Sequence, residues 1–388
     1  MRAFEGIRVF DATQGVAGPH CAMLLAQHGA DVVKLEPMAG DWGRAIGKKH
    51  GEHSAYGLAV NRGKRSIAVD LKNPEGVAIA KRLAAGADVV LESFRPGVMG
   101  RFGLDYASVK TGNPSVIYLS VTGYGQEGPY SKRPVTDSVI QAYSGWMSIN
   151  KDKDGLPQRI SIIAVDVMTG LYAFQAVAPA LFLRSRTGEG QYIDISLAGA
   201  AAAFQAGKMV EYQLEGAEPS VLGAPLGTFQ TADGFINMNA RRDAHFGALC
   251  DMIGQPDWKN DPRFATPEAR IENEAALMAV IRPAMTTKTS AEWLKILDEA
   301  DILAAKVNDY GDLFEDPQVQ AVRQVEWVKQ QGFDEMLPVP QIPGLPKVEP
   351  ASFLARVPVP GEQTEEILAE IGYAPGKIAS LRAGGAIR

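Results

Sequence analysis

Short runs of β-branched and aliphatic residues alternate with helical patterns along the first third of the chain. The runs have the length and residue types of buried strands; they lie at residues 7–10, 31–35, 66–71, 88–92 and 116–121. A helical pattern runs from Pro19 to His28, and Asn73-Pro74-Glu75 has the residues of a cap and first helical turn. Strands separated by helices predict right-handed βαβ units, so we predict an α/β fold with a Rossmann-like large domain.

A second domain is predicted where the composition changes to Gly, Pro, Ser and Ala, at about residues 217–227. Residues 227–231 and 235–239 flank Ala232-Asp233-Gly234 and read as a hairpin, and helical patterns follow at 246–253 and 291–299. This stretch predicts a smaller α+β domain.

A proline-rich stretch from Pro338 to Pro350 indicates an extended return segment, and residues 364–371 read as a short helix. We therefore predict three parts of the chain: the large domain at 1–216, the small domain at 224–325, and a C-terminal segment at 331–388 that completes the large domain.

Residues 162–183 form an apolar stretch about as long as a bilayer requires. The stretch contains Asp166, Gln175 and Pro179, and an acid in a lone span is expensive in lipid. We predict a buried helix in a large soluble core and no membrane partner.

The composition of the chain argues against several classes of function. A chain of 388 residues with a net charge of -6 gives no support for nucleic-acid binding. Its two cysteines, Cys21 and Cys250, are too few for a disulfide framework or a thiolate metal cluster. The first residues lack the layout of a secretory signal, so we expect a cytoplasmic protein.

The run Gly123-Tyr124-Gly125-Gln126-Glu127-Gly128 matches the dinucleotide pattern G-x-G-x-x-G after a strand. Pro129 and Pro134 break any helix there, and the acidic residue expected about twenty positions later is missing. A mobile glycine loop is the better interpretation, and no nicotinamide site is predicted.

Two further motifs contain residue types that are common in binding sites. His50-Gly51-Glu52-His53 has metal-ligand residue types without metal-site spacing and reads as a polar loop. Residues 61–66 place Arg62, Lys64 and Arg65 just before a strand, which suits phosphate groups, although short charge runs are usually solvated turns.

Asp166 lies where an apolar run turns into a helix that begins at about Val167. An aspartate there is an ordinary N-cap, because its carboxylate accepts backbone N–H bonds. A carboxylate in apolar surroundings is also a candidate nucleophile. The residues alone leave both interpretations open.

An ordered series of segments resembles the class III CoA-transferase family, which includes formyl-CoA, carnitine and bile-acid CoA-transferases and is related to the α-methylacyl-CoA racemases. The resemblance covers nearly the whole chain. Its segments are residues 6–11, 17–19, 29–37, 61–66, 92–97, 123–129, 141–145, 166–170, 187–191 and 361–368.

The resemblance implies that Asp166 is the nucleophile. Its carboxylate would attack a donor thioester to give a mixed anhydride, CoA thiolate would then form an aspartyl-CoA thioester, and a free acid would reverse the sequence. CoA thioester is a substrate in this scheme, and no metal, nicotinamide or flavin is expected. The family also implies a homodimer of interlocked ring-shaped subunits.

The resemblance also assigns contacts. The implied CoA-binding residues are Gln14, Gly15, Val16, Ala17, Lys64, Arg65, Ser93, Phe94 and Arg101. Gly123, Tyr124 and Gly125 are a candidate lid that supplies N–H donors to the tetrahedral intermediates.

The chain departs from the family at the acyl pocket. Val16 stands where some members have glutamine, and residues 239–242 replace a glycine-rich loop. Arg241 and Arg242 suit a second carboxylate, which favours a dicarboxylic acid such as succinate or malate, although a solvated turn explains them equally well. The candidate acid-binding residues are Asp137, Asn239, Arg241 and Arg242.

The racemase branch is the nearest alternative. Its members carry Gly-His-Asp where this chain has Val135-Thr136-Asp137, and threonine does not replace imidazole in proton transfer near neutral pH. Transferase is therefore preferred over racemase, and a CoA-binding protein without turnover is the second alternative.

Overall fold

The computed structural model describes residues 2–216 and 222–388, and these form two compact units. The first unit is discontinuous, Met1–Gly207 with Arg323–Arg388, and the second is Lys208–Val322. Part of the predicted linker, residues 217–221, lies outside the described residues.

Helices separate most of the strands, and three pairs of strands follow each other without a helix between them. The strands are β1 Arg8–Ala12, β2 Asp31–Glu36, β3 Lys49–His50, β4 His53–Ser54, β5 Arg65–Ala68, β6 Val89–Glu92, β7 Ile117–Thr122, β8 Gln191–Ser196, β9 Leu226–Gln230, β10 Phe235–Asn239, β11 Leu303–Lys306, β12 Val325–Lys329 and β13 Met336–Pro340.

The helices lie between and after them. They are α1 Ala17–Gln27, α2 Ala55–Val60, α3 Pro74–Ala85, α4 Val98–Phe102, α5 Tyr106–Gly112, α6 Asp137–Tyr143, α7 Trp146–Ile149, α8 Ala164–Thr187, α9 Leu197–Phe204, α10 Ala206–Glu215, α11 Asp243–Met252, α12 Pro267–Glu272, α13 Glu274–Met285, α14 Ser290–Glu299, α15 Tyr310–Glu315, α16 Pro317–Ala321, α17 Thr364–Glu370 and α18 Pro375–Ala383. Short 3-10 turns occupy Trp42–Ala45, Pro256–Lys259 and Phe353–Ala355.

The first unit is built on a parallel sheet in the order β5-β2-β1-β6-β7-β8, which confirms the predicted α/β class. The chain first adds strands on one side of β1 and then returns to add β6, β7 and β8 on the other. The strand order therefore reverses between β1 and β6. Open α/β sheets bind ligands outside the carboxyl ends of the strands at such a point.

Helices cover both faces of this sheet because successive strand residues point to opposite sides. Val9 packs on the face that holds α1 and α8, and the adjacent Phe10 packs on the face that holds α3 and α17. The predicted apolar helix is α8: it is long and apolar enough to cross a membrane, but one face of it packs in this core. Met168 and Val177 lie on that buried face.

The C-terminal segment completes the other face of the sheet. Ile367 and Leu368 of α17 and Ile378 of α18 lie in the same buried apolar cluster as Ile79 of α3. Backbone bonds join the segment to β5 and the turn after it, from Gln363 N to Ser66 O and from Asp70 N to Ala386 O.

The second unit contains the predicted hairpin, in which β9 and β10 pair antiparallel and β11 joins the other edge of β10. The helical patterns predicted at 246–253 and 291–299 are confirmed as α11 and α14. Phe229, Ile236 and Trp293 are among the buried residues of its own core.

Candidate active site

A cavity of about 660 Å³ opens at the carboxyl ends of β1, β6 and β7, where the strand order reverses, and reaches the first turn of α8. Its lining residues include Gln14, Val16, Ala17, Trp42, Ser93, Phe94, Arg95, Gly123, Arg133, Thr136, Asp137, Arg159, Ile162, Ile163 and Asp166. Two separate turns that the resemblance assigned to CoA thus meet Asp166 at one cavity, through Gln14, Val16 and Ala17 and through Ser93 and Phe94. Gly15 is not among the lining residues.

Asp166 is the third residue of α8 and is partly buried in the cavity wall. Among the described residues, none donates a hydrogen bond to its carboxylate. Desolvation, together with the nearby carboxylate of Asp137, raises the pKa of Asp166 to about 7. A carboxylate that is poorly solvated and free of donors is a stronger nucleophile once it is ionised.

The interpretation of Asp166 as an N-cap is wrong. Helix α8 begins at Ala164, ahead of the predicted start at Val167, so Asp166 already lies inside the first turn. The cap comes from Asp137 at the start of α6, whose Oδ2 accepts bonds from Val165 N at 2.7 Å and from Asp166 N at 3.1 Å.

Asp137 is buried and its other oxygen is also occupied. Its Oδ1 accepts a 2.6 Å bond from Nε2 of the fully buried Gln141, whose Oε1 in turn accepts from Ile160 N at 3.0 Å. A carboxylate already bonded in this way repels a second carboxylate, so the structure does not support Asp137 as a residue that binds the acid. It positions the turn that carries Asp166.

A buried ion pair fixes the first turn, which runs from Gln14 to Ala17. Gly15 N donates to Asp41 Oδ1 at 2.9 Å, and Asp41 pairs with Lys34 at 2.9 Å, both side chains being fully buried. Gly15 has φ of 84°, and a Cβ there would collide with the ring of Trp42. The turn therefore needs glycine at this position, and it presents Gln14 and Val16 to the cavity.

Lys64 does not contact the cavity. Its side chain is fully buried, and its ammonium donates to Asp11 Oδ2 at 2.8 Å, to Pro19 O at 2.9 Å and to Asn61 Oδ1 at 2.9 Å. These acceptors use all three of its donors. The prediction that Lys64 binds a phosphate is not supported, because the side chain has a structural role inside the domain.

Arg65 points elsewhere as well. It forms ion pairs with Asp31 at 2.6 Å, with Glu366 at 2.9 Å and with Glu370 at 2.7 Å. It also lines a separate cavity of about 130 Å³. Three carboxylates leave no free charge for a phosphate. Arg101, on α4, likewise does not line the cavity of Asp166.

The cations that do line the cavity are Arg95, Arg133 and Arg159, none of which was predicted as a binding residue from the sequence. All three are exposed, and no carboxylate among the described residues pairs with them. Arg133 lies over the ring of Tyr130, with its guanidinium carbon 3.8 Å from the ring centroid. Unpaired guanidinium groups suit phosphate and carboxylate ligands.

The glycine loop forms one rim of the cavity through Gly123, where a Cβ would collide with Val135. Gly125 N donates to Thr122 Oγ1 at 3.0 Å, and Gln126 N donates to Asp194 Oδ2 at 2.9 Å. Tyr124 packs edge-on against Tyr143. The loop is thus anchored at several points, and its movement as a lid stays a prediction.

The other candidate acid-binding residues belong to the second unit. Asn239 ends β10, and Arg241 donates from Nη1 to Leu222 O at 2.9 Å. Arg242 occupies the N-cap position of α11. Their role in binding an acid stays a prediction.

Comparison with known proteins gives consistent results. The sequence model of CoA-transferase family III matches residues 4–364. A succinate–glutarate CoA-transferase of Agrobacterium fabrum is 36% identical over 382 residues, which cover 95% of each chain. A succinyl-CoA:mesaconate CoA-transferase of Haloarcula marismortui is 33% identical, with 97% of this chain and 98% of the relative covered. The crystal structure of a CAIB/BAIF family protein from Brucella suis has a TM-score of 0.85 and 35% identity, and covers 95% of this chain and 99% of its own.

Proposed function

The chain belongs to CoA-transferase family III, and we propose that it moves CoA from a dicarboxylic acyl-CoA to a free dicarboxylic acid through Asp166. The observation that supports this most is the carboxylate of Asp166, which lies unbonded in a cavity lined by unpaired arginines. Relatives named for succinate, glutarate and mesaconate support an acid of four or five carbons, such as succinate or malate.

The proposed reaction has two half-reactions. The Asp166 carboxylate attacks the donor thioester carbonyl and CoA thiolate leaves, which gives a mixed anhydride. The thiolate then attacks the aspartyl carbonyl and the donor acid leaves, so CoA is carried on Asp166 as a thioester. The acceptor carboxylate repeats these steps in reverse. The scheme uses CoA thioester as a substrate and needs no other cofactor.

The cavity supports this scheme in physical terms. Val16, Phe94 and Ile163 give it apolar walls that limit access of water to the anhydride and thioester. Gly123 places backbone of the glycine loop at the same cavity, so N–H donors for the tetrahedral intermediates are near.

The racemase alternative is less well supported. Thr136 lines the cavity where the racemases carry histidine, and among the described lining residues there is no histidine. A racemase needs two proton-transfer groups on opposite faces of the α-carbon. Asp166 can serve as one of these groups, but the hydroxyl of Thr136 is a poor proton-transfer group near neutral pH.

The function is tested by incubating the protein with succinyl-CoA and a pool of free acids without ATP, followed by mass spectrometry of the CoA esters. We expect CoA to appear on dicarboxylic acids of four or five carbons. A protein that only binds CoA would leave succinyl-CoA unchanged, and complete absence of exchange over a broad panel would contradict the proposal.

The rate is expected to depend on pH because only ionised Asp166 attacks. With a pKa of about 7, the ionised fraction rises from about one-tenth at pH 6 to about nine-tenths at pH 8. The value of kcat/KM for the CoA donor should therefore rise roughly tenfold over this range and then level off.

Asp137→Asn is the matched control for this profile. It keeps an oxygen for the N–H groups of α8 and removes the neighbouring negative charge, so the pKa of Asp166 should fall and the rise in kcat/KM should move to lower pH. A flat profile between pH 5.5 and 8 in the wild-type protein would contradict the raised pKa.

We also propose that the protein is a cytoplasmic homodimer. Large apolar side chains are exposed in the first unit, and contact with a second copy of the chain would bury them. On α8 and α9 these are Leu171, Phe182, Leu183 and Phe204. The interlocked arrangement implied by the resemblance is part of this proposal.

A further inference from the structure

Arg159 is the cationic residue of the cavity that lies nearest to Asp166 along the chain. It belongs to the segment that leads into α8, and it lines the same cavity as Ile162, Ile163 and Asp166. Its side chain is exposed, and no described carboxylate pairs with it. A charged group at the cavity of Asp166 is therefore free to bind an anion from outside the chain.

The backbone on both sides of Arg159 is fixed by hydrogen bonds, one of them from backbone to backbone and two of them with side-chain amides. Gln158 N donates to Asn150 O at 2.7 Å, and Asn150 Nδ2 donates to Gln158 O at 2.8 Å. On the other side, Ile160 N donates to Gln141 Oε1 at 3.0 Å. The segment has no regular secondary structure, yet it is held at the residue before and the residue after Arg159.

The second of these clamps also holds the nucleophile. Gln141 donates to Asp137, and Asp137 accepts from the backbone N–H of Asp166. One buried pair of side chains therefore fixes the backbone of Asp166 and of the segment that carries Arg159. The distance from the reacting carboxylate to the base of the arginine side chain is thus set by the fold, as a length-selective site requires.

The other two arginines have different surroundings. Arg95 also lines a neighbouring cavity of about 340 Å³, and Arg133 is stacked on Tyr130. Both suit the long polyanionic body of CoA. Arg159, in contrast, lines a single described cavity and is carried by the same short segment as Ile162, Ile163 and Asp166, which suits a short aliphatic chain ending in a carboxylate.

We propose that Arg159 is the specificity-determining residue that binds the remote carboxylate of the dicarboxylic substrate while the other carboxyl group reacts at Asp166. The inference rests on the proposed function. The methylene groups of the acid lie against Ile162 and Ile163, and the guanidinium pairs with the far carboxylate through two parallel hydrogen bonds. Because donor acyl group and acceptor acid occupy one acyl site in turn, Arg159 selects dicarboxylic chains in both half-reactions.

The test compares substrates that differ only in the remote carboxylate: succinyl-CoA with butyryl-CoA as donors, and glutarate with valerate as acceptors. In Arg159→Ala, the ratio of kcat/KM for the dicarboxylic over the monocarboxylic member should fall about tenfold to hundredfold in both pairs. Arg159→Lys should keep part of the ratio, because an ammonium retains the charge and loses the paired geometry.

Two matched controls separate this effect from general loss of charge. Lys153→Ala removes an exposed cation of the same segment that does not line the cavity, and the ratio should stay as in the wild type. Arg133→Ala should raise KM for every CoA donor alike and leave the ratio unchanged. Circular dichroism checks that each variant is folded.

A binding measurement distinguishes failure of this inference from failure of the proposed function. Calorimetric titration of free succinate into protein with CoA involves no turnover, and Arg159→Ala should weaken this binding about tenfold or more, with butyrate unaffected. Unchanged succinate binding and an unchanged substrate ratio in Arg159→Ala would overturn the role of Arg159 and leave the transferase intact. Succinate binding that depends on Arg159 in a wild-type protein without CoA transfer would overturn the proposed function and leave the carboxylate site standing.

Discussion

Asp166→Asn is expected to leave the protein folded and to reduce CoA transfer by a factor of roughly a thousand or more. The amide oxygen of asparagine does not attack a thioester as the carboxylate does. The fold should not suffer, because Asp137 caps α8 and the Asp166 side chain holds no hydrogen bond in the described structure.

Stability should in fact rise at pH 8. The folded-state pKa of Asp166 is about 7 and lies above the ordinary value of 3.8, so ionisation of this side chain destabilises the native state. The destabilisation begins as the pH rises above about 4 and reaches its full size above about pH 7. Removing the charge should raise the free energy of unfolding at pH 8, by at most about 4 kcal/mol. Chemical or thermal unfolding of both proteins measures this.

Covalent trapping tests directly whether Asp166 is the nucleophile. Wild-type protein incubated with donor CoA ester and no acceptor should yield an Asp166 hydroxamate with hydroxylamine, and Asp166→Asn should not be labelled. Transfer near the wild-type rate in freshly purified Asp166→Asn, checked by mass for deamidation, would show that the nucleophile lies elsewhere.

Lys64→Met is expected to destabilise the protein by about 3–5 kcal/mol, because it leaves the buried carboxylate of Asp11 without its ammonium partner. Burial alone raises the pKa of Asp11, but the attraction of Lys64 and then Lys34 outweighs it and holds that pKa below the ordinary value. The loss should appear as a lower midpoint in urea unfolding at pH 7.

Arg65→Ala is the matched control from the neighbouring position. Its three carboxylate partners are largely exposed, so its removal should cost no more than about 1 kcal/mol and should leave KM for the CoA donor unchanged. If Lys64→Met were as stable as the wild type and raised only KM for the CoA donor, Lys64 would bind CoA after all and the structural role would be wrong.

The sequence predicted the α/β fold well because buried parallel strands are continuous apolar runs. Residues 7–10, 31–35, 88–92 and 116–121 lie in or overlap β1, β2, β6 and β7. The edge strand β8 was not predicted: Gln191 and Asp194 interrupt its apolar pattern, since only part of an edge strand is buried.

The cations of residues 61–66 show where a local pattern misleads. Three positive residues before a strand favour a phosphate site, but the charge partner of Lys64 is Asp11, 53 positions away. Asp11 lies on β1, and only the parallel sheet brings it under the turn that carries Lys64. A pairing between residues so far apart leaves no sign in a short window of sequence.

The same limit explains the two errors at the candidate site. Asp137 caps a helix that begins 27 positions later, so the local pattern assigned the cap to Asp166 itself. Arg95, Arg133 and Arg159 are isolated in the sequence and meet only because the strand order reverses between β1 and β6. Asp166 was selected as the candidate nucleophile from the resemblance, whereas the residues around it depend on the folded topology.

The first unit includes α17 and α18, which are synthesised last, so this unit can finish folding only at the end of synthesis. Residues 1–207 leave the ribosome before the contiguous second unit, and α17 begins about 160 residues later, roughly 10–30 s at ordinary elongation rates. Until then Ile79 and Leu83 of α3 lack the cover of Ile367 and Leu381. Nascent chains therefore expose an apolar surface on α3 to which a chaperone can bind. A chain that is truncated before residue 364 leaves this surface exposed permanently.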